Sequence, residues 1–351
     1  MSVSTPTAAA AAPHHSKQIS FDKIASAAQR LRDRLHRTPV MTSRILDAMS
    51  SRQLYFKCEH LQRTGSFKAR GALNAVLCLL EEARENGRAT PAGVATHSSG
   101  NHGQALAWAA RECGLTCCVV VPEGTSPAKT AAIRAYGAEI FLCQPNMRAR
   151  RQACARLAEE RGLVVVPPFD DYRVMAGQGT VALELLEQVA ELDAVLVPIS
   201  GGGLSSGIAV ACRHLKPELR VHCVEPAGKG LAECLAARQP LWPNPDAFLT
   251  TIADGLRLQS AGELTFPVLC DLAQPVVLSV SDAEMALGCR LAFRYLKQVI
   301  EPASAAALHA AVFAAADRLP DHLRHIGVVL TGGNLDPDTL PSLLAMAGGS
   351  E

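Results

Sequence analysis

An alternation of elements, more than any single residue, limits what this chain can fold into. Apolar strand-like runs at 93–96, 116–121, 139–143 and 163–166 are separated by segments with helical apolar spacing at 101–113, 127–136 and 147–161. Strands joined by helices of that length run parallel, because an antiparallel pair needs only a tight turn between its members. A second set follows: helix 177–189, strand 194–199, helix 204–215, strand 220–224, then helices at 282–297 and 303–318 and a strand at 326–330. Ahead of both, 21–35 carries helical spacing at Ile24, Ala27, Ala28 and Leu31. The expected fold class is α/β, with two domains, each an open, mostly parallel twisted sheet flanked by helices. The first set makes a small domain over 92–170. The flanking segments, 19–91 and 171–346, make a larger, discontinuous one. A ligand is expected in the interdomain cleft, where such sheets expose the carboxyl ends of their strands. Residues 1–18, rich in Ala, Ser, Thr and Pro with His14-His15, read as a disordered tail.

Composition removes several function classes. A chain of 351 residues, 48% apolar and 19% charged, is that of a globular protein able to bury a sizeable core. A net charge of +1 leaves no basic stripe with which to neutralise a phosphate backbone, so no nucleic-acid role is expected. The apolar run near 305–316 is broken by His309 and is too short to cross a bilayer, so no membrane role follows either. Twelve cysteines invite a disulfide or zinc reading, but Cys113, Cys117 and Cys118 lack CxxC pairs or accompanying paired histidines. The N-terminus has no basic start and its alanine run is interrupted by proline, unlike a secretory signal. Reduced, mostly buried thiols in a cytoplasmic protein are expected.

Four segments concentrate the chemistry. Lys68 lies in Thr64-Gly65-Ser66-Phe67-Lys68-Ala69-Arg70-Gly71, flanked by residues suited to burial. To act as a Schiff-base amine it must spend part of a cycle neutral, which requires a pKa well below about 10.4. Ser200-Gly201-Gly202-Gly203-Leu204 follows an apolar strand and opens a helix, where converging amides and the helix's positive end can hold a phosphate. It is not a GxGxxG fingerprint, because Ser206 stands at the last glycine, nor a P-loop, which would need Gly-Lys-Ser/Thr. Taken alone, the loop serves equally well as a tight turn. Ser98-Ser99-Gly100-Asn101-His102-Gly103 precedes a helix and is rich in short donors, suited either to a carboxylate or to ordinary capping. Thr331-Gly332-Gly333-Asn334 follows the last strand. An amine and a phosphate loop together are what pyridoxal 5'-phosphate requires.

In this order the four segments resemble the pyridoxal-phosphate enzymes of the tryptophan-synthase-like class, fold type II. Within that class they resemble the serine racemase and serine/threonine dehydratase group, over about 19–344. Thr96-His97-Ser98-Ser99-Gly100-Asn101-His102-Gly103-Gln104-Ala105-Leu106 is similar to the racemase form. Pro168-Phe169-Asp170-Asp171 and Ala176-Gly177-Gln178-Gly179-Thr180 look more like the dehydratases. The resemblance makes Lys68 the cofactor lysine, packs Phe67 against the ring, and gives the phosphate to Ser200, Gly201, Gly202, Gly203 and Leu204. It assigns Ser98, Asn101 and His102 to substrate or cofactor, with Asn101 near the ring hydroxyl, and sets Thr331 on the pyridine nitrogen. Arg150 matches an arginine near the substrate entrance, though with Arg148 and Arg151 it reads equally as a solvated helix face. A neutral hydroxyl on the ring nitrogen does not force its protonation, which suits elimination over transamination.

Departures from the pattern matter too. Ser99 stands where dehydratases often have alanine, so a second proton donor is present and racemisation is permitted. The resemblance implies a metal site beginning at Glu225, but Leu231 replaces its second carboxylate and Lys229 intrudes. One carboxylate beside a lysine suits a hard cation poorly, and no metal is expected. Leu258 replaces a substrate-contacting serine and Phe169 a polar residue, implying a more apolar pocket. Because the chain ends at Glu351, the regulatory domain of biosynthetic threonine dehydratases is expected to be absent. The expected activity is a β-hydroxy-α-amino acid dehydratase (ammonia-lyase) acting on threonine, serine or a bulkier relative such as phenylserine, with Lys68 and Ser99 as catalytic residues. The alternative is an amino-acid racemase with side elimination. Its partner is a small amino-acid substrate, and the chain is a candidate homodimer.

Overall fold

The computed structural model describes residues 18–347, so the expected tail at 1–18 lies, but for its last residue, outside them. In chain order the strands are β1 (Val40–Met41), β2 (Gln53–Cys58), β3 (Gly93–Thr96), β4 (Thr116–Pro122), β5 (Glu139–Cys143), β6 (Val164–Val165), β7 (Ala194–Pro198), β8 (Arg220–Pro226), β9 (Leu278–Val280) and β10 (His325–Leu330). They form two sheets, one ordered β1-β2-β10-β7-β8-β9 and the other β5-β4-β3-β6. The smaller sheet is parallel throughout. The larger is parallel except for β1, which pairs antiparallel with β2 at its edge. The last of these strands to be made, β10, lies in the middle of the larger sheet, between β2 and β7.

Burial on both faces explains the near-continuous apolar strands. In β10, Ile326, Val328 and Leu330 enter one core with Leu54, Phe56 and Leu196. Val329, on the opposite face, packs with Val195, Val197 and Val221. The smaller sheet is covered likewise: Val94, Val119 and Val121 on one side, Ala95, Cys118 and Val120 on the other. Local signals set many helix ends. Asn146 accepts from the Ala149 amide at 2.8 Å to start Met147–Arg161, and Gly162 at φ +64° ends it. Ser281 and Glu284 close a capping box on Asp282–Leu291.

Several expected elements change length. The helix expected over 21–35 ends at Leu31, and Asp33 turns into the left-handed region at φ +64°. The helix expected from 177 begins earlier, at Tyr172, because the Asp171 carboxylate caps it by accepting from the Arg173 amide at 2.7 Å. The helices expected at 282–297 and 303–318 are interrupted by π turns at Ala292–Leu296 and Ala310–Ala314. All twelve cysteines are free; ten are buried, and Cys113 and Cys270 are half-buried. No described helix is long and apolar enough to cross a membrane.

Candidate active site

Each of the four chemistry-bearing segments begins where a parallel strand ends. Lys68 follows β2 through two short 3-10 turns and opens the helix Lys68–Glu85. The 97–103 loop follows β3, the 199–203 loop follows β7, and Thr331 follows β10. Parallel strands send their carboxyl ends, and the amino ends of the next helices, to one side, which is why segments far apart in sequence meet.

Backbone bonds zip the first segment to the last. The Phe67 amide donates to Thr331 O at 3.0 Å, Gly333 N donates to Gly65 O at 2.9 Å, and Ser66 bridges Gly332. Side chains join the second segment to both. The Asn334 amide donates to Asn101 Oδ1 and to Thr64 O, each at 2.8 Å. The Asn101 amide in turn reaches both oxygens of Glu301 at 3.0 Å. Sequence reasoning had not singled out Glu301. It stands at the mouth of the helix Pro302–His309, its own amide donating to Gly332 O at 3.1 Å. Three residues on, Ser304 is buried, its hydroxyl 3.0 Å from Thr331 Oγ1, bonded to Gly332 O and accepting from Gly332 N at 2.7 Å each.

The amine of Lys68 donates to Pro168 O at 2.5 Å and lies 5.0 Å from the Phe67 ring centre. Packing around it strips water from the ammonium and brings its pKa down to about 8, with Glu301 opposing the shift. Glu301 moves the other way: burial pushes its carboxyl up to about 7, against the pull of the Asn101 hydrogen bond. Two residues beyond Lys68, the buried Arg70 guanidinium forks onto Glu59 and Glu184, all contacts between 2.7 and 2.9 Å. The buried Lys57 shares Glu184 at 2.7 Å. This network anchors the first turn of the helix that carries Lys68.

The glycine loop is built for close approach. Gly202 takes φ +92°, and a Cβ there would lie 2.8 Å from Thr265 Oγ1. A Cβ on Gly201 would meet the Phe169 ring at 2.4 Å. Thr265 Oγ1 and the Gly262 amide both bind Gly201 O, at 2.6 and 3.1 Å. Gly203 and Leu204 open the 13-residue helix Gly203–Leu215, so their amides have no carbonyl one turn earlier. Beside Lys68, the buried Ser66 hydroxyl has no partner among the described residues. Bare amides, crowded glycines, an unpartnered hydroxyl and a desolvated amine together fit a phosphorylated pyridoxal group.

The remaining expected residues are placed unevenly. Ser98 and Ser99 are half-buried on the loop before the helix Asn101–Glu112, and Ser98 Oγ lies 3.4 Å from the Gly100 amide as acceptor. Ser200 is half-buried at the head of the glycine loop. Arg150 donates to His97 O at 2.6 Å and stacks over Phe248 at 5.7 Å, tying the small sheet's helix to the start of the serine loop. Burial and the Arg150 charge lower His97 to about 4. His102 points inward, its Nε2 3.0 Å from Val166 O, with a pKa lowered to about 3 by burial and then by Lys68. It stays neutral and holds the loop to the end of the small sheet. Leu258 bridges Phe248 by backbone pairing.

Where the resemblance implies a metal, around Glu225, the residues do not fit a hard cation. Glu225 Oε2 accepts from the Leu231 amide at 2.9 Å, and Lys229 Nζ occupies the nearby carbonyl oxygens of Leu258 and Gln259 at 2.6 and 3.1 Å. No cluster of three or more His, Cys, Asp or Glu able to hold a metal occurs among the described residues.

Known proteins supply the comparison. The sequence profile of the pyridoxal-phosphate dependent enzymes matches residues 31–332. The serine racemase of Dictyostelium discoideum is 38% identical over 332 residues, covering 93% of this chain and 98% of that protein. A solved pyridoxal 5'-phosphate-dependent aspartate racemase superposes with a TM-score of 0.89 at 45% identity, covering 94% of this chain and all of the other. A solved T.th. threonine deaminase gives a TM-score of 0.82 at 41% identity, covering 90% of this chain and 99% of the other. These kinships correct the expectation of a dehydratase: similar proteins at 38–41% identity include the serine racemases of Dictyostelium discoideum, Arabidopsis thaliana and Homo sapiens, and the similar solved structures include aspartate and serine racemases. The phenylserine-like substrate belonged to that dehydratase reading and falls with it; the Phe169 ring itself lies against the glycine loop, 2.4 Å from where a Cβ on Gly201 would stand. The fold is that of the fold type II enzymes, the cofactor is pyridoxal phosphate, and the chain belongs to the pyridoxal-phosphate dependent enzyme family.

Proposed function

We propose that this protein is an amino-acid racemase that inverts the α-carbon of a small polar amino acid, serine and aspartate being the first to test. Bound pyridoxal phosphate supplies a covalent hold on the substrate amine and a sink for the electrons of the α-carbon. What supports the reading is a desolvated amine at Lys68 together with a half-buried hydroxyl at Ser99 on the loop after β3, a pair the proposal sets on opposite faces of the substrate. Two groups able to hold a proton, one for each face of the α-carbon, are what inversion requires and elimination does not.

In this reading Lys68 Nζ takes the α-proton from one side and Ser99 Oγ returns one from the other. A lysine lowered to about 8 exchanges protons near neutral pH far more readily than a solvated one. The amides of Gly201, Gly202, Gly203 and Leu204, with Ser200, grip the phosphate, and the Phe67 side chain packs against the ring. Asn101 serves the ring hydroxyl, backed by Glu301. Thr331 turns its hydroxyl to the ring nitrogen; Ser304 can then donate to Thr331, because Gly332 O keeps its bond from the Glu301 amide. Ser98 and Asn101 receive the substrate carboxylate, Arg150 guards the entrance near Leu258, and His102 supports the loop from below. Residues 92–170 form the smaller of two domains that meet at this cleft. Free thiols throughout the chain fit a reducing, cytoplasmic setting.

The test is incubation of the holoenzyme with either enantiomer of serine and aspartate, read by chiral chromatography and by α-proton exchange in heavy water. Ser99→Ala is expected to slow inversion at least about 100-fold while leaving exchange from one enantiomer intact. Equal inversion by Ser99→Ala and wild type would remove the two-group reading.

A further inference from the structure

Lys229 is fully buried and has no part in the cleft chemistry. A buried lysine is costly unless its ammonium finds oxygen partners, so its setting calls for a reason. It follows β8 in the turn Gly228-Lys229-Gly230, whose glycines take φ +87° and +74°. Left-handed residues on both sides make the turn tight, and the side chain reaches the backbone at 258–259. There Nζ donates to Leu258 O at 2.6 Å and Gln259 O at 3.1 Å. The main chain is fastened as well: Lys229 O accepts from Trp242 Nε1 and from Gln259 Nε2, both at 2.8 Å. Glu225, 5% exposed, lies near enough to favour the ammonium through space.

The fastening reaches the cofactor loop. Three residues after Gln259, the Gly262 amide donates to Gly201 O, and Thr265 Oγ1 binds the same oxygen. Lys229 therefore holds one end of a strap, 258–265, whose other end holds the carbonyl of the loop's first glycine. Converging carbonyls beside a buried carboxylate are what a hard cation would bridge if six or more oxygens were offered. Leu231 offers none, and an ammonium with three donors already serves the two carbonyls.

We propose that the Lys229 ammonium is a tethered resident cation, a positioning residue that keeps the 258–265 strap against the glycine loop so that the protein retains its cofactor without any divalent metal. The proposal rests on the glycine loop holding the phosphate. The experiment measures pyridoxal phosphate affinity from the absorbance of the bound cofactor, in EDTA, in Mg²⁺ and in Ca²⁺. Wild-type holoenzyme is expected to give the same value in all three. Lys229→Met should weaken binding about tenfold or more, the cost usual for losing a supporting contact behind a site. The double variant Lys229→Ala/Leu231→Asp, which frees the carbonyls and adds a carboxylate, should bind more tightly when Ca²⁺ or Mg²⁺ is supplied. Wild-type protein that loses cofactor in EDTA and regains it with either ion would overturn the proposal, whatever the variants do. So would Lys229→Met holding cofactor as wild type does, and that result would leave the glycine-loop assignment standing. Wild type that binds no cofactor in any buffer would overturn that assignment and the proposal together.

Discussion

Burial draws both Glu301 and Lys68 toward neutrality, and the charge of each opposes the shift of the other. Burial raises the carboxyl to about 7 and lowers the amine to about 8, so each partner's proton is easily moved. The raised carboxyl has a stability consequence whose sign is fixed by linkage. Its folded pKa lies above its unfolded value, so the stability it contributes is complete below the unfolded pKa of 4.5 and is lost as pH rises through about 7. Glu301→Gln removes that loss. In cofactor-free protein the variant should match wild type near pH 4.5 and gain on it up to pH 8, by at most about 3 kcal/mol. Urea unfolding across that range checks it; a difference that stays flat with pH would mean the carboxyl is solvated. The same residue marks a limit of sequence reading. A lone Glu-Pro ahead of an alanine-rich run looks like an ordinary helix entrance, and its neighbour Ser304 is hidden in the run. Only the pairing of Gly332 with the start of that helix brings both to Thr331.

At the scale of elements, the glycine loop depends on backbone shape as much as on charge. Gly202→Ala would place a methyl 2.8 Å from Thr265 Oγ1 on a residue at φ +92°. A left-handed alanine costs about 1–2 kcal/mol before any clash, so pyridoxal phosphate binding should weaken about tenfold or more, measurable by equilibrium dialysis. Retention of wild-type affinity would mean that the loop tolerates another shape. Elements with a clear period were readable from residues alone: β5 and Met147–Arg161 fall where their apolar spacing puts them. The helix Lys68–Glu85 was not, because its first turns, from Ala69 to Val76, are buried on every side and carry no amphipathic stripe. Two-residue strands such as β1 leave no period to read. Resemblance supplied the four site segments; in the second of them the His102 ring lies 3.0 Å from Val166 O, a contact that no local spacing foretells.

Across the whole molecule, charged side chains link the helices of the smaller sheet to the segment 246–254. Lys129 pairs with Asp254, Arg151 with Asp246 at 3.0 Å, and Arg150 covers Phe248. The first members of these pairs stand on helices of the smaller sheet, and the second on the loop that leads to the 258–265 strap. Exposed pairs of this kind are worth about 0–1 kcal/mol each, enough to order a loop locally and too little to hold the fold. Asp246→Asn/Asp254→Asn should leave the thermal midpoint nearly unchanged while speeding amide hydrogen exchange over 246–258. Unaltered protection there would show that the pairs are incidental. A different consequence follows from the backbone zipper between 65–67 and 331–333. Because β10 enters the centre of the larger sheet, the lysine that anchors the cofactor has no finished seat until that strand has been synthesised and inserted. A fragment that stops short of β10 therefore lacks the Thr331–Gly333 half of that zipper, and it is expected to bind vitamin B6 no better than any unfolded chain with exposed lysines.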